Sequence, residues 1–283
     1  MSIGIDVGGT KIEAALIQNG QIVNRLHLKT DKSSPERFLD QVSHIIDTFG
    51  KNYPVGIGIA GQVDTKNNRL ILGPNLGFKN VNFNDKLKHP NLYLLNDVRA
   101  AGIGEWKEGS AKGISDFIAV FLGTGIGGMI VSNNKVIEGH QGIAGEIGHL
   151  SIDYKGLPCS CGSIGCLETI AAGWGLAKRA NVEEAKTLFE KGPSPLLDEA
   201  MLGLAFGIKG LVNTFNPQAI IIGGGLLNGY EKVYPDFLSQ LEMMAKKLAL
   251  DAMNFKIIKS SLGEFAGVRG AARYAIDSTI SAE

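Results

Sequence analysis

The chain is poor in cysteine, has no net charge and contains no long apolar run. It has three cysteines in 283 residues. Three cannot all pair, and 44% hydrophobic residues suffice for a core without covalent staples. A disulfide framework is therefore disfavoured, and the expected compartment is the reducing cytoplasm. The 28 basic and 28 acidic residues cancel. No basic stripe offers a nucleic acid its counter-charge, and no acidic tail is present. No apolar stretch approaches the roughly 18–20 residues that span a bilayer. The start of the chain lacks a basic region followed by a long apolar segment, so neither a membrane anchor nor a signal peptide is expected. Linkers rich in Pro and Ser are missing too. What these absences leave is a globular chain of two lobes.

Glycine, by contrast, is abundant, at 38 residues. It falls in tight clusters, which suits turns and ligand-hugging loops better than a flexible linker. The three cysteines are also placed with purpose. His149, Cys159, Cys161 and Cys166 read H-x9-C-x-C-x4-C, inside EIGH and PCSCGSIGCLE. Three thiolates and an imidazole close the tetrahedral shell of Zn²⁺. Gly162 and Gly165 let the chain turn tightly around an ion. Buried inert thiols are the other reading of any three cysteines, but scattered ones rarely fall at this spacing beside Gly and His. Glu146 and Glu168 flank the motif.

Periodicity gives a mixed α/β order. Strands are expected at 3–9, 11–18 and 21–30, with Asn19-Gly20 as a hairpin turn. A helix follows Ser34-Pro35, an N-cap with proline in the first turn. Strands at 55–60 and 91–95 come next, then a helix from Val98 to about Glu108. The pattern restarts at 116–122, 128–132 and 135–138. A shift of 114 residues lays Gly9-Thr10 on Gly123-Thr124 and Asn19-Gly20 on Asn133-Asn134, as expected of a duplicated hairpin. Helices are expected over 166–180, 196–215 and 230–249, with a strand at 219–222. The expected lobes are 1–112 and 113–267, with a C-terminal helix over about 268–283 returning to the first.

Three glycine clusters end apolar strands: Gly8-Gly9-Thr10, Gly123–Gly128 and Gly223–Gly225. Backbone amides in such turns can point at phosphate oxygens. GTGIGG at 123–128 matches the dinucleotide fingerprint, but that fingerprint needs a helix next, and MIVS with an Asn-Asn turn follows instead. A Walker A loop is absent. Each cluster alone is explained by a tight β-turn. Three of them at strand ends favour a nucleotide cleft between the lobes.

Taken together these motifs resemble the sugar-kinase branch of the ROK family (repressors, open reading frames and kinases), within the actin-like ATPase superfamily. The resemblance covers nearly the whole chain. DVGGTK at 6–11 is similar to the family's first phosphate loop, LGTGIGG at 122–128 to its second, and IIGGG at 221–225 to its adenosine-side loop. EIGH and CSCGSIGCLE match its two signatures. The resemblance implies two actin-like (ribonuclease H-like) lobes and phosphoryl transfer from Mg·ATP to a hexose 6-hydroxyl. It implies Asp97 as general base, with Gly61, Asn75, Asn96, Asp97, Glu146, His149 and Glu168 around the sugar. It places Asp6 near Mg²⁺, and Gly8, Gly9, Thr10, Lys11, Gly123, Thr124, Gly125, Gly127, Gly223 and Gly224 around ATP. Zinc, on His149, Cys159, Cys161 and Cys166, would be structural. A homodimer is implied by family analogy alone.

The chemistry agrees. Phosphoryl transfer needs a positioned hydroxyl, a base, Mg²⁺ and donors around the phosphates. Ionised carboxylates are strong acceptors for vicinal hydroxyls. Asp97 read without the family is a helix N-cap. Glucose is the first expectation for the acceptor, with N-acetylglucosamine or N-acetylmannosamine as alternatives. A sugar-sensing repressor of the same family would carry a DNA-binding segment before the first phosphate loop, and Asp6 stands too early for one. A zinc hydrolase or a two-carboxylate glycosidase using Glu146 and Glu168 would leave the phosphate-type loops without purpose.

Overall fold

The computed structural model describes residues 1–282. Position 283, the last of the expected C-terminal helix, lies outside the described residues. Two compact units form. The first takes Met1–Gly113, Glu138–Ile143 and the segment from Ser261 onward; the second takes Ile114–Ile137 and Ala144–Ser260.

The first unit opens with the antiparallel strands β1 (Ser2–Val7), β2 (Lys11–Gln18) and β3 (Gln21–Lys29). Asn19 and Gly20 turn β2 into β3 with φ of 50° and 76°, the two positive values that a type I′ hairpin turn needs. Helix α1 (Pro35–Phe49) starts where Ser34 accepts from the Arg37 amide and proline occupies the first turn. β4 (Val55–Ile59) follows. Then comes a small antiparallel sheet of β5 (Gln62–Asp64), β6 (Arg69–Gly73) and β7 (Phe78–Asn82). A short helix α2 (Phe83–Leu87), β8 (Leu92–Asn96) and α3 (Asp97–Lys107) complete the run. The main sheet has the order β3-β2-β1-β4-β8, with β1, β4 and β8 parallel.

Strand alternation divides this sheet into two unlike faces. Ile3, Ile5, Ile57 and Ile59 pack with Phe38, Val42 and Ile45 of α1. The opposite face carries Gly4 and Gly56, which are neighbours in register. A Cβ on Gly4 would lie 2.0 Å from the Val268 carbonyl oxygen, and one on Gly56 1.9 Å from that of Ala271. The two glycines thus let the backbone of the C-terminal helix, Ala266–Ala282, rest directly on the strands.

The second unit repeats the plan. It contains β9 (Phe117–Leu122), β10 (Ile126–Ser132) and β11 (Lys135–Val136), then β12 (Ala219–Gly223) and β13 (Lys256–Lys259). The order β11-β10-β9-β12-β13 again sets three antiparallel strands beside a parallel run. The helices are α4 (Leu167–Ala171), α5 (Gly173–Ala180), α6 (Ala185–Glu190), α7 (Pro195–Phe215), α8 (Leu227–Val233) and α9 (Phe237–Leu248). Ile118, Val120, Ile220 and Ile222 share a core with Leu204, Ile208 and Tyr230.

Two expected helices are broken. The 230–249 pattern splits around Pro235, which cannot donate to the helical ladder. The 166–180 pattern breaks at Ala172, whose ψ of 164° is extended. Among the described residues no helix is long and apolar enough to cross a membrane.

Candidate active site

In the first unit the candidate residues gather at the carboxyl ends of the parallel strands. Val7, Ile59 and Asn96 lie side by side in the sheet register. Beyond β1 the chain turns through Gly8–Lys11, and the Gly8 amide donates to the Lys11 carbonyl at 2.9 Å. Gly9 approaches Asn75 so closely that a Cβ would lie 2.8 Å from the Asn75 Cβ. Gly61 has φ of 145°, and a Cβ there would sit 2.3 Å from the Leu72 carbonyl oxygen. Lys11 is exposed, with Nζ 3.6 Å from Glu13.

Asn96 ends β8 and caps α3. Its Oδ1 accepts from the Arg99 amide at 3.0 Å, and its Nδ2 donates to Asp97 Oδ1 and to the Gly61 carbonyl, both at 3.1 Å. Asp97 is the first residue of α3 and also accepts from the Val98 amide at 2.9 Å. The carboxylate is therefore fixed by its neighbours at the positive end of a helix. Asp97 is near enough to Asp6 to act on it. Burial first, then the charge of Asp97, push the Asp6 carboxyl from 3.8 up to about 7, with Lys11 opposing and Glu13 adding. Carboxyls crowded in this way are a fitting place for a cation, which would return Asp6 to its ionised form.

In the second unit Glu168 is the centre of the arrangement. It is buried on α4, 6% exposed. Oε2 accepts from the Ile126 amide at 3.4 Å, and a Cβ on Gly125 would meet the same oxygen at 2.9 Å. Oε1 lies 3.6 Å from His149 Nδ1 and 3.5 Å from Cys159 Sγ. The other ring nitrogen, Nε2, lies 3.9 Å from the exposed Glu146. The Gly123–Gly125 turn is held from behind. Freed by the break at Ala172, the amides of Gly173 and Trp174 donate to the carbonyls of Gly123 and Thr124 at 2.9 and 3.0 Å. Gly224, at φ 94°, backs against Leu122, where a Cβ would meet the carbonyl oxygen at 2.2 Å.

The ligand atoms of His149, Cys159, Cys161 and Cys166 all lie within 4.8 Å of one another. Cys161 and Cys166 sulfurs are 3.7 Å apart, and Cys159 Sγ is 3.5 Å from His149 Nδ1. Tetrahedral Zn²⁺ with bonds of about 2.3 Å to sulfur and about 2.05 Å to nitrogen implies edges of about 3.8 Å and 3.6 Å. The residues present fit zinc. Burial and the adjoining thiols push Cys166 up to about 12, so this sulfur needs positive charge beside it to be held as a thiolate, whereas backbone hydrogen bonding at Ser163 lowers Cys161. The loop is shaped by Gly165, at φ 63°, where a Cβ would fall 1.5 Å from the Asp153 carbonyl oxygen.

The ROK family model matches residues 2–278. The chain belongs to the ROK family. It is 29% identical to a glucokinase of Halalkalibacterium halodurans, over 95% of this chain and 92% of that protein. It is 33% identical to an N-acetylmannosamine kinase of Escherichia coli, over 84% of this chain and 88% of that protein. A solved structure of a ROK family glucokinase from Streptomyces griseus, in complex with glucose and AMPPNP, is similar at a TM-score of 0.81 and 30% identity, over 98% of this chain and 99% of that one. The shared strand order of the two units is thus the actin-like ATPase fold.

Several buried polar residues carry no motif, and one of them, Thr30, holds the first glycine turn. Thr30, buried at the end of β3, donates its hydroxyl to the Gly8 carbonyl at 2.9 Å and its amide to the Thr10 carbonyl at 3.0 Å. Glu105 of α3 is fully buried and accepts from the Ser110 and Leu262 amides, each at 2.8 Å. Arg99 is also buried, and its Nη2 donates to the Gly142 carbonyl at 2.7 Å. Amphipathic patterning treats such charges as surface, which is why no sequence signal marks them. His27 pairs with Glu13 and takes no part in the His149 cluster.

Proposed function

We propose that this ROK protein is an ATP-dependent hexose kinase that phosphorylates the 6-hydroxyl of glucose. Family membership alone leaves repressors and kinases open. The observation that carries the kinase reading is Asp97: a carboxylate fixed at the start of α3, in the same unit and at the same sheet edge as the Gly8–Lys11 turn. A repressor needs no such base, and the similarity to a ROK glucokinase holding glucose and AMPPNP supports the same choice.

In the proposed reaction Asp97 accepts the proton of the sugar 6-hydroxyl as its oxygen bonds to the γ-phosphorus and the bond to the ADP oxygen breaks. Asn96 keeps the Asp97 carboxylate in place. Asn96, Glu146, His149 and Glu168, with Gly61 and Asn75, are proposed to hold the sugar hydroxyls. The turns that contain Gly8, Gly9, Thr10 and Lys11, then Gly123, Thr124, Gly125 and Gly127, and last Gly223 and Gly224, are proposed to line the nucleotide. Mg²⁺ arriving with ATP would neutralise phosphate charge, with Asp6 holding its water shell. Zinc on His149, Cys159, Cys161 and Cys166 would be structural, fixing the ring of His149 against Glu146 and Glu168.

A second acceptor class is favoured by the 33% identity to an N-acetylmannosamine kinase. ADP release from Mg·ATP, measured separately with glucose, mannose, N-acetylglucosamine and N-acetylmannosamine, decides. Turnover on glucose supports the proposal, and turnover on an N-acetylhexosamine alone transfers the activity to that class. Silence on all four, with the protein folded, overturns the hexose-kinase reading.

A further inference from the structure

We propose that the first unit carries a second binding site, for a small phosphate-bearing dianion, at the end of β1 away from the glycine turn. A pocket of 530 Å³ lies there, and its walls include Ser2, Lys107, Lys112, Arg269 and Arg273. The end of α3, the stretch after it and the C-terminal helix each deliver cations to it. Arg269 is committed: Nη1 donates to the Gly20 carbonyl at 2.6 Å and lies 2.7 Å from Glu108 Oε2. Asp277 is shared, 2.9 Å from Arg273 Nη2 and 4.0 Å from Lys107 Nζ. Among the described residues the Lys112 ammonium has no ion-pair partner. Four basic side chains thus face two carboxylates, Glu108 and Asp277, leaving an excess of two positive charges. That excess matches a phosphate monoester or inorganic phosphate dianion.

A second, independent observation is Ser2. Strand alternation puts it on the Gly4 side of β1, toward the C-terminal helix, and it is fully buried. Among the described residues its Oγ is the one buried side-chain polar atom without a hydrogen-bond partner. Native folds rarely leave such a donor unused, and a phosphate oxygen would accept from it. The site does not overlap the proposed active site: Ser2 and Val7 stand at opposite ends of β1, ~17 Å apart. It does not depend on the activity proposed above.

The test is a nuclear magnetic resonance titration of the full chain with inorganic phosphate and, separately, glucose 6-phosphate. The amides of Gly20 and Lys112 report this pocket, and that of Gly9 reports the glycine turn. Saturable shifts at Gly20 and Lys112 are expected for at least one ligand. Lys112→Glu, at an exposed position, should weaken them tenfold or more, since a charge-assisted contact is lost and a like charge takes its place. Ser2→Ala should weaken them about fivefold, for one neutral hydrogen bond. Either ranking of the two ligands supports the site and tells which source of phosphate it reads. Shifts confined to Gly9, shifts that never saturate, or saturable binding unchanged in both variants would overturn it.

Discussion

The two units build the same glycine hairpin and load it differently. In the first, Val7 pairs with Ile12, so four residues, 8–11, make the turn. In the second, Leu122 pairs with Ile126, and only 123–125 intervene. One residue back from the turn, Asp6 faces Glu13, while at the corresponding place Phe121 faces Gly127. The first hairpin thus sets carboxyls beside its turn, with Asp97 nearby on α3. The second has no acid in its strands and receives one, Glu168, from a helix behind it. Duplicated backbone supplies amides in both places. Under the proposed function, the charge added to the first suits metal-bound phosphate and proton transfer, and the carboxylate added to the second suits neutral hydroxyls.

The largest expected effect comes from the first unit. Asp97→Asn keeps the shape and its contacts with Asn96 and Val98 but removes the base. Turnover should fall by roughly 10²–10⁴-fold, with sugar affinity changed little, because general-base catalysis is worth about that much. Steady-state kinetics and direct sugar binding check both halves. Loss of sugar binding in a folded variant would make Asp97, which follows the Asn96 cap, a structural residue instead.

The matching change in the second unit acts through affinity. Cys161→Ala should abolish stoichiometric zinc and raise the sugar KM by about 10–100-fold, the usual cost of losing support around a ligand-orienting group. The turnover number should fall less than in Asp97→Asn. Zinc content by atomic emission and kinetics on the same sample decide. A metal-free variant with unchanged KM would uncouple the zinc cluster from sugar binding.

A third effect separates the hairpins by pH. Asp6 has its folded pKa raised from 3.8 to about 7, so its contribution to stability is fully present below pH ~4 and lost as pH rises through ~7. Phe121 brings no such dependence to the second unit. Melting curves of Asp6→Asn and the parent, without Mg²⁺, should diverge by a few degrees in favour of the variant above pH ~7 and converge near pH 4. Mg·ATP should narrow the gap. Parallel curves at all pH values would show that Asp6 titrates as an ordinary carboxyl.

Much of this contrast is legible in the amino-acid sequence. Asn19-Gly20, Ser34-Pro35 and the apolar runs of β1, β4, β9 and β12 carry their structure in local chemistry, and the Cys-Gly-His spacing marked a metal knot. A constant shift of 114 residues aligned Ile12 with Ile126 but hid the one-residue difference in turn length, since glycine-rich turns have no side chains to set their register. The β5–β7 sheet was missed because Gln62–Asn82 is dense in Gly and Asn and alternates only briefly. The break at Ala172 was invisible because its cause is tertiary: the amides of Gly173 and Trp174 serve the Gly123–Thr124 carbonyls. Residue roles at the site came from family motifs rather than from spacing.

The smallest expected effect isolates how each turn is held. In the second unit the holders are backbone amides of α5, which no substitution short of proline removes. In the first, the holder includes a side chain, Thr30, whose hydroxyl bonds the Gly8 carbonyl at 2.9 Å. Thr30→Val keeps the shape, the β-branch and the amide bond to Thr10. It deletes one neutral hydrogen bond, worth about 1 kcal/mol, and leaves the Gly8 carbonyl under-satisfied. The loss should appear as a KM for ATP raised about fivefold, with sugar KM unchanged, because the Gly8–Lys11 turn is proposed to serve the nucleotide. If the sugar KM rises instead, the turn of the first unit serves the acceptor through its contact with Asn75. The division of labour between the two hairpins would then have to be redrawn.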